Sequence, residues 1–202
     1  CPTHCSFPVP ALRPSLSLHP SQEVALGDTV TLRCRVSRPG VLVSIYKEGD
    51  GMRQWYRDSV GDMAEVHVDV STRNFAGRYW CSCNISPLPC TLSNPVELVV
   101  LDPSFLPPVM SLSPEGRVTR GTSVTISCQS TYGATFILHK AGRSAPIQRQ
   151  SLVWGNTVTF TLPRVTWADA GTYGCSYRPR ENPFVSSHPR SEVTLELEPG
   201  GP

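Results

Sequence analysis

Cysteine is the residue in this chain with the most chemistry to offer. Eight stand at positions 1, 5, 34, 81, 83, 90, 128 and 175. Thiols in that number serve either metal binding or cross-linking in an oxidising compartment. The candidate zinc ligands are Cys1, His4, Cys5, Cys83 and Cys90. Structural zinc sites use matched Cys or His pairs two to five residues apart, and no such matched set occurs. An even count at wide spacing reads instead as a disulfide framework, secreted or on the cell surface.

Other chemistry has no footing. There is no G-x-S-x-G, no H-E-x-x-H and no glycine loop that would cradle a phosphate. The five histidines lie at 4, 19, 67, 139 and 188, none with a carboxylate at a telling spacing. His139, beside Lys140, reads as a surface residue of a strand. An enzyme, a cofactor and a bound metal are therefore not expected. A net charge of +2 with dispersed Lys and Arg leaves no basic patch for nucleic acid. No window of 18 apolar residues would span a membrane, and no secretory signal opens the chain.

What remains is recognition. Tyr, Trp and Arg dominate interface hot spots. Tyr46, Arg53, Trp55, Tyr56 and Arg57 cluster in sequence, and Trp80 flanks Cys81. Strand alternation turns Trp80 away from a core cysteine. Together these residues are candidates for one exposed patch; the plainer alternative is that Trp55 and Tyr56 only cover a sheet edge. Tyr177, Arg178, Arg180 and Phe184 form a weaker candidate. Asn84-Ile85-Ser86 is an N-glycosylation sequon, and a glycan leaving the loop tip there would keep the patch open.

The elements that must position these groups are legible as a repeat. Cys34 and Cys81 are 47 residues apart, and so are Cys128 and Cys175. Gly27-Asp-Thr-Val-Thr-Leu-Arg-Cys34 is matched by Gly121-Thr-Ser-Val-Thr-Ile-Ser-Cys128, each alternating like a half-buried strand. Asp169-Ala-Gly-Thr-Tyr-Gly-Cys175 has a Tyr two residues before the Cys, and Phe75-Ala-Gly-Arg-Tyr-Trp-Cys81 repeats it with Phe for Asp. That is the tyrosine corner of an immunoglobulin sandwich, whose Cys closes the bridge between strands B and F. The fold class is thus all-β, two tandem C2-type immunoglobulin-like sandwiches, bridged Cys34–Cys81 and Cys128–Cys175. With Phe75 in place of Asp, the first corner should survive with one polar contact fewer. The Trp that usually packs on the disulfide from strand C is absent, Ile45 and Leu138 standing in its region.

The 202 residues suit two domains of about 100. Residues 1–10 read as an N-terminal extension, 11–102 and 103–197 as the two domains, and 198–202 as a stalk remnant. The joint at 100–108 has three prolines, which stiffen it into a short Pro-rich elbow with Phe105 and Leu106 buried. Among the four remaining thiols, an F–G hairpin would bring Cys83 to Cys90, leaving Cys1 for Cys5. A tie from the N-terminal pair onto Cys83 and Cys90, or an intermolecular bond, stays open.

Several runs resemble a known family. Arg13-Pro-Ser-Leu-Ser-Leu-His-Pro-Ser21, Leu26-Gly-Asp-Thr-Val-Thr-Leu-Arg-Cys34, Ile45-Tyr-Lys-Glu-Gly49 and Pro95-Val-Glu-Leu-Val-Val100 are similar to leukocyte-receptor-cluster Ig-like receptors. The wording is nearest to the chicken Ig-like receptors and covers most of the first domain. The second domain matches more loosely, through Phe136-Ile-Leu-His-Lys140 and its corner. The group includes killer-cell and leukocyte Ig-like receptors, the platelet collagen receptor glycoprotein VI and the IgA Fc receptor. In it the missing strand-C Trp is normal. The family's Trp-Ser-x-x-Ser-like segment is reduced here to Cys90-Thr-Leu-Ser93 and Val185-Ser-Ser187. The resemblance implies the extracellular part of a single-pass leukocyte receptor that binds a host protein: immunoglobulin Fc first, collagen or class I histocompatibility molecules as alternatives. Such a receptor would signal through an adaptor or a cytoplasmic tail. The rival reading is a secreted binding protein similar to alpha-1-B glycoprotein.

Overall fold

A computed structural model describes residues 13–49, 53–84 and 90–200. Cys1 and Cys5 lie outside them. The chain forms two compact units, residues 1–99 and 100–202.

The strands of the first unit are β1 (Ser15–His19), β2 (Glu23–Ala25), β3 (Thr29–Arg35), β4 (Leu42–Lys47), β5 (Arg53–Asp58), β6 (Met63–Asp69), β7 (Gly77–Asn84) and β8 (Val96–Asp102), whose last residues belong to the second unit. One sheet has the order β1-β3-β6; the other runs β8-β7-β4-β5, with β2 paired to β8. Alternation along β3 buries Val30, Leu32 and Cys34 and leaves Thr29 and Arg35 in water. Cys34 meets Cys81 of β7 in a disulfide across the two sheets, their Cα atoms 6.3 Å apart. In immunoglobulin terms β3, β4 and β7 are strands B, C and F.

The second unit repeats the plan with β9 (Val109–Ser113), β10 (Arg117–Val118), β11 (Val124–Gln129), β12 (Gly133–Lys140), β13 (Gln148–Ser151), β14 (Thr157–Leu162), β15 (Gly171–Pro179), β16 (Val185–Ser187) and β17 (Ser191–Leu197). A β14-β11-β9 sheet faces a β10-β17-β15-β12-β13 sheet. Cys128 on β11 and Cys175 on β15 are joined between them. Ile45 lies opposite Cys81 in the β4–β7 register, and Leu138 opposite Cys175 in the β12–β15 register. Both are fully buried, so an aliphatic side chain packs on each bridge where a Trp is usual.

The corner just before each F-strand cysteine is built alike. Tyr79 Oη donates to the Phe75 carbonyl at 2.6 Å, and Tyr173 Oη to the Asp169 carbonyl at 2.6 Å. Burial pushes the Tyr173 phenol above its ordinary pKa, with Asp169 adding to the effect, so it remains a donor. A lysine closes over each turn: Lys47 Nζ donates to the Asn74 carbonyl and Lys140 Nζ to the Ala168 carbonyl. Gly77, at φ +153°, makes room, since a Cβ there would fall 2.8 Å from Lys47 Cε. The copies differ at the acid. Asp169 Oδ2 accepts from the Thr166 N–H at 2.8 Å, whereas Thr72, ahead of Phe75, has no side-chain cap.

The segment after β8 departs from expectation. Phe105 packs against the core of the second unit, but Leu106 is 71% exposed. Hydrogen bonds explain the split. Ser104 N and Oγ both donate to Asp102 Oδ1, Phe105 N donates to the Asp102 carbonyl, and the His188 N–H donates to the Phe105 carbonyl. These bonds turn Phe105 inward, and its neighbour faces water.

The corner bonds give a direct test. Tyr79→Phe and Tyr173→Phe are each expected to destabilise their own unit by about 1–2 kcal/mol, as a lost buried hydrogen bond does. Asp169→Ala should cost about 1 kcal/mol in the second unit through the lost cap. Urea unfolding of the whole chain measures all three, and midpoints equal to the parent's would contradict the assignment.

Candidate binding face

The outer face of the first unit's β5-β4-β7 sheet is a grid set by register. Residues directly opposite on paired strands share a face. Asp58, Leu42 and Asn84 form one row, and Tyr56, Ser44 and Ser82 the next. Then come Tyr46 and Trp80, opposite each other, with Arg53 paired to Tyr46 on β5 across a bulge. The side chain of Arg53 lies outside the described residues. Tyr46 and Trp80 stack with ring centroids 6.2 Å apart and planes within 17°. Such a stack adds about 0.5–1.5 kcal/mol beyond its buried area and holds two large rings rigid at the surface. Tyr56, one row along, is 58% exposed. Beyond the stack the face turns ionic: Arg78 bridges Glu97 at 3.0 Å and Glu48 at 3.4 Å. A hydrogen bond to Glu97, then the charge of Glu48, raises the already high pKa of that guanidinium.

Trp55 does not belong to this patch. It is paired with Ile45, whose side chain points into the sandwich, and it stacks on Tyr79 at 6.1 Å. Neighbouring residues on a strand face opposite ways, so Trp55 and Tyr56 could not both look outward. Arg57, likewise adjacent to Tyr56, is exposed beside a shallow depression lined by Asp58, Val60, Met63 and Glu65. Trp80 does face outward, as its place next to Cys81 requires.

The cysteines beyond the bridge lie at one end of this sheet. Cys83 points to the inner side, opposite Val43, and is bonded to Cys90, Cα atoms 5.2 Å apart. Both thiols are thereby removed from any zinc set. Ser93 ties the returning chain to β7: its N–H donates to the Cys81 carbonyl at 2.8 Å, and its Oγ accepts from the Cys81 N–H at 2.8 Å. Asn84 is the exposed last residue of β7, not part of a loop tip. Its parity with Trp80 and Ser82 puts it on the outer face. A glycan here would be rooted on the strand and not on a loop tip. Ile85 and Ser86 of the sequon lie outside the described residues.

Immunoglobulin-domain profiles match residues 20–94 and 107–197. Immunoglobulin superfamily member 1 of Rattus norvegicus is 33% identical over 188 residues, which cover 91% of this chain and 14% of that protein. The T-cell-interacting, activating receptor on myeloid cells protein 1 of Mus musculus is 32% identical over 192 residues, covering 92% of this chain and 66% of that protein. Platelet glycoprotein VI of Mus musculus is 30% identical over 191 residues, covering 94% and 57%. Among solved structures, the human OSCAR ligand-binding domain is 26% identical and covers 91% of this chain and 98% of its own, with a TM-score of 0.48. The chain belongs to the leukocyte-receptor-cluster Ig-like receptors. It spans 14% to 66% of the length of these three relatives. Among the described residues no helix is long and apolar enough to cross a membrane.

The second domain presents a different outer face. His139 and Gly174 stand opposite each other where the first domain has Tyr46 and Trp80. His139 is not the surface residue that its neighbour Lys140 suggested: it is 5% exposed, with Nε2 3.3 Å from Ser176 Oγ. Tyr177, two residues past Cys175, is turned inward and packs on Phe136 at 5.8 Å. Of that weaker candidate group, Arg180 is exposed and donates to the Gly155 carbonyl at 3.2 Å.

Burial, then the positive charges of Arg190, Arg178 and Arg149, lower the His139 pKa from 6.5 to about 4. Unfolding restores the ordinary value, so between these limits the unfolded chain takes up a proton that the folded one refuses. Stability should therefore fall as pH drops from about 6.5 toward 4, and His139→Gln should flatten that slope. Urea midpoints across the window measure it. Equal slopes in parent and variant would contradict the buried neutral imidazole.

Proposed function

We propose that this chain is the ligand-binding ectodomain of a leukocyte cell-surface receptor, and that the outer β5-β4-β7 face of its first domain takes a host protein, immunoglobulin Fc foremost. The observation that carries the reading is the Tyr46–Trp80 stack beside exposed Tyr56. Rigid aromatics bury much area at small entropic cost, which is why they anchor interfaces. The class of partner rests on family membership: the relatives' names include a T-cell-interacting receptor on myeloid cells. Signalling would pass through a membrane segment, by an adaptor if that segment carries Arg or Lys.

Collagen and class I molecules remain the family's other partners and belong in the same assay. Trp80→Ala or Tyr46→Ala should weaken Fc binding by about 1–2 kcal/mol or more, the size of a hot spot, while the domain stays folded and loses only the roughly 0.5–1.5 kcal/mol of the stack. Trp55→Ala should instead lower stability by about 1–3 kcal/mol through lost packing on Tyr79. Surface plasmon resonance with calorimetry separates the two outcomes. Binding to collagen but not to Fc would transfer the site to the second partner; Trp80→Ala binding like the parent would sink the face itself.

A further inference from the structure

We propose that Asn84 carries an N-linked glycan rooted on the binding face, and that this glycan limits how much of the face a partner reaches. The inference rests on the reading of that face as the ligand site and adds its regulation. Three observations carry it. The sequon is complete in the sequence, and Asn84 is exposed. The register puts Asn84 opposite Leu42, in line with Ser82 and Trp80 on one side of the sheet. Four residues of strand separate it from Trp80, about 13 Å at the usual strand rise. Finally, the adjacent residue is Cys83, bonded to Cys90, so the root is held on the strand and does not swing off the end of the sheet.

Transfer would join Asn84 Nδ2 to the anomeric carbon of an oligosaccharide carried on a lipid pyrophosphate. The amide loses one proton, and the lipid pyrophosphate is the leaving group. The attached glycan is bulky and hydrated. From the Asn84 row it overhangs Ser82 and Tyr56, so a partner approaches from the opposite end, over Tyr46, Trp80 and the Arg78 ion pairs. The receptor's reach for its ligand is then set by glycan size as well as by contact residues.

The test compares the secreted chain from glycosylating cells with its Asn84→Gln and Ser86→Ala variants. Mass spectrometry reads occupancy, and hydroxyl-radical footprinting reads the exposure of Tyr46, Tyr56 and Trp80. Both variants should show label on Tyr56 rising about twofold or more, with Trp80 changing less and exposed Trp154 of the other unit unchanged as the control. Affinity for immunoglobulin Fc should rise about threefold or more, mainly through faster association. An unmodified Asn84, or equal labelling of the face with and without the glycan, overturns the proposal. If no form binds Fc while labelling still rises, the shielding stands and the Fc reading fails.

Discussion

The bridge between strands B and F is the constraint from which the rest follows. A strand repeats every two residues, so pinning one cysteine inward decides the direction of every residue along its strand. With Cys81 bound to Cys34, Tyr79 and Cys83 must face the inner side, while Arg78, Trp80, Ser82 and Asn84 face out. The corner bond of Tyr79, the small bridge of Cys83 and the aromatic row of Trp80 are three consequences of one choice of parity. Closing a 47-residue separation also restricts the unfolded chain, worth about 4 kcal/mol in the chain-entropy description. The same restriction acts in the second domain through Cys128 and Cys175.

Because the two domains share that frame, their differences fall where the frame does not constrain them. The inner positions match: Ile45 with Leu138, Tyr79 with Tyr173, Lys47 with Lys140. The outer ones do not. Tyr46 and Trp80 give way to His139 and Gly174, and the space above Gly174 is taken by Arg190, whose Cδ would lie 3.4 Å from a Cβ there. One domain offers two stacked rings, the other a neutral buried imidazole among arginines. At this pair of positions, the stacked rings belong to the first domain and have no counterpart in the second.

Most of the frame was legible in the sequence because it is carried by local, repeated signals. Equal cysteine spacing, the D-x-G-x-Y-x-C corner and alternation into Cys34 and Cys128 need no tertiary information. The loss of one polar contact at Phe75 was readable too, and it is the Asp169–Thr166 cap that the first domain lacks. What could not be read depended on neighbours across strands. The burial of His139 comes from what packs over its sheet, which no run of residues around Lys140 encodes. Leu106 looked like core by its type, but a local turn anchored on Asp102 spends the inward position on Phe105. The misplacing of Trp55 had a remedy in plain view, since strand parity forbids Trp55 and Tyr56 from sharing a face.

The decisive question is whether a ligand covers the outer β5-β4-β7 face. Hydrogen–deuterium exchange of the chain alone and saturated with immunoglobulin Fc is the most direct measurement. β5 is an edge strand paired only with β4 in its sheet, so the amides that point away from β4 are open to exchange and report contact readily. A ligand on this face should slow exchange over Gln54–Asp58 and across residues 78–82, with the second unit unchanged. Slowing confined to the second unit, or none at all with Fc bound, would contradict a ligand there.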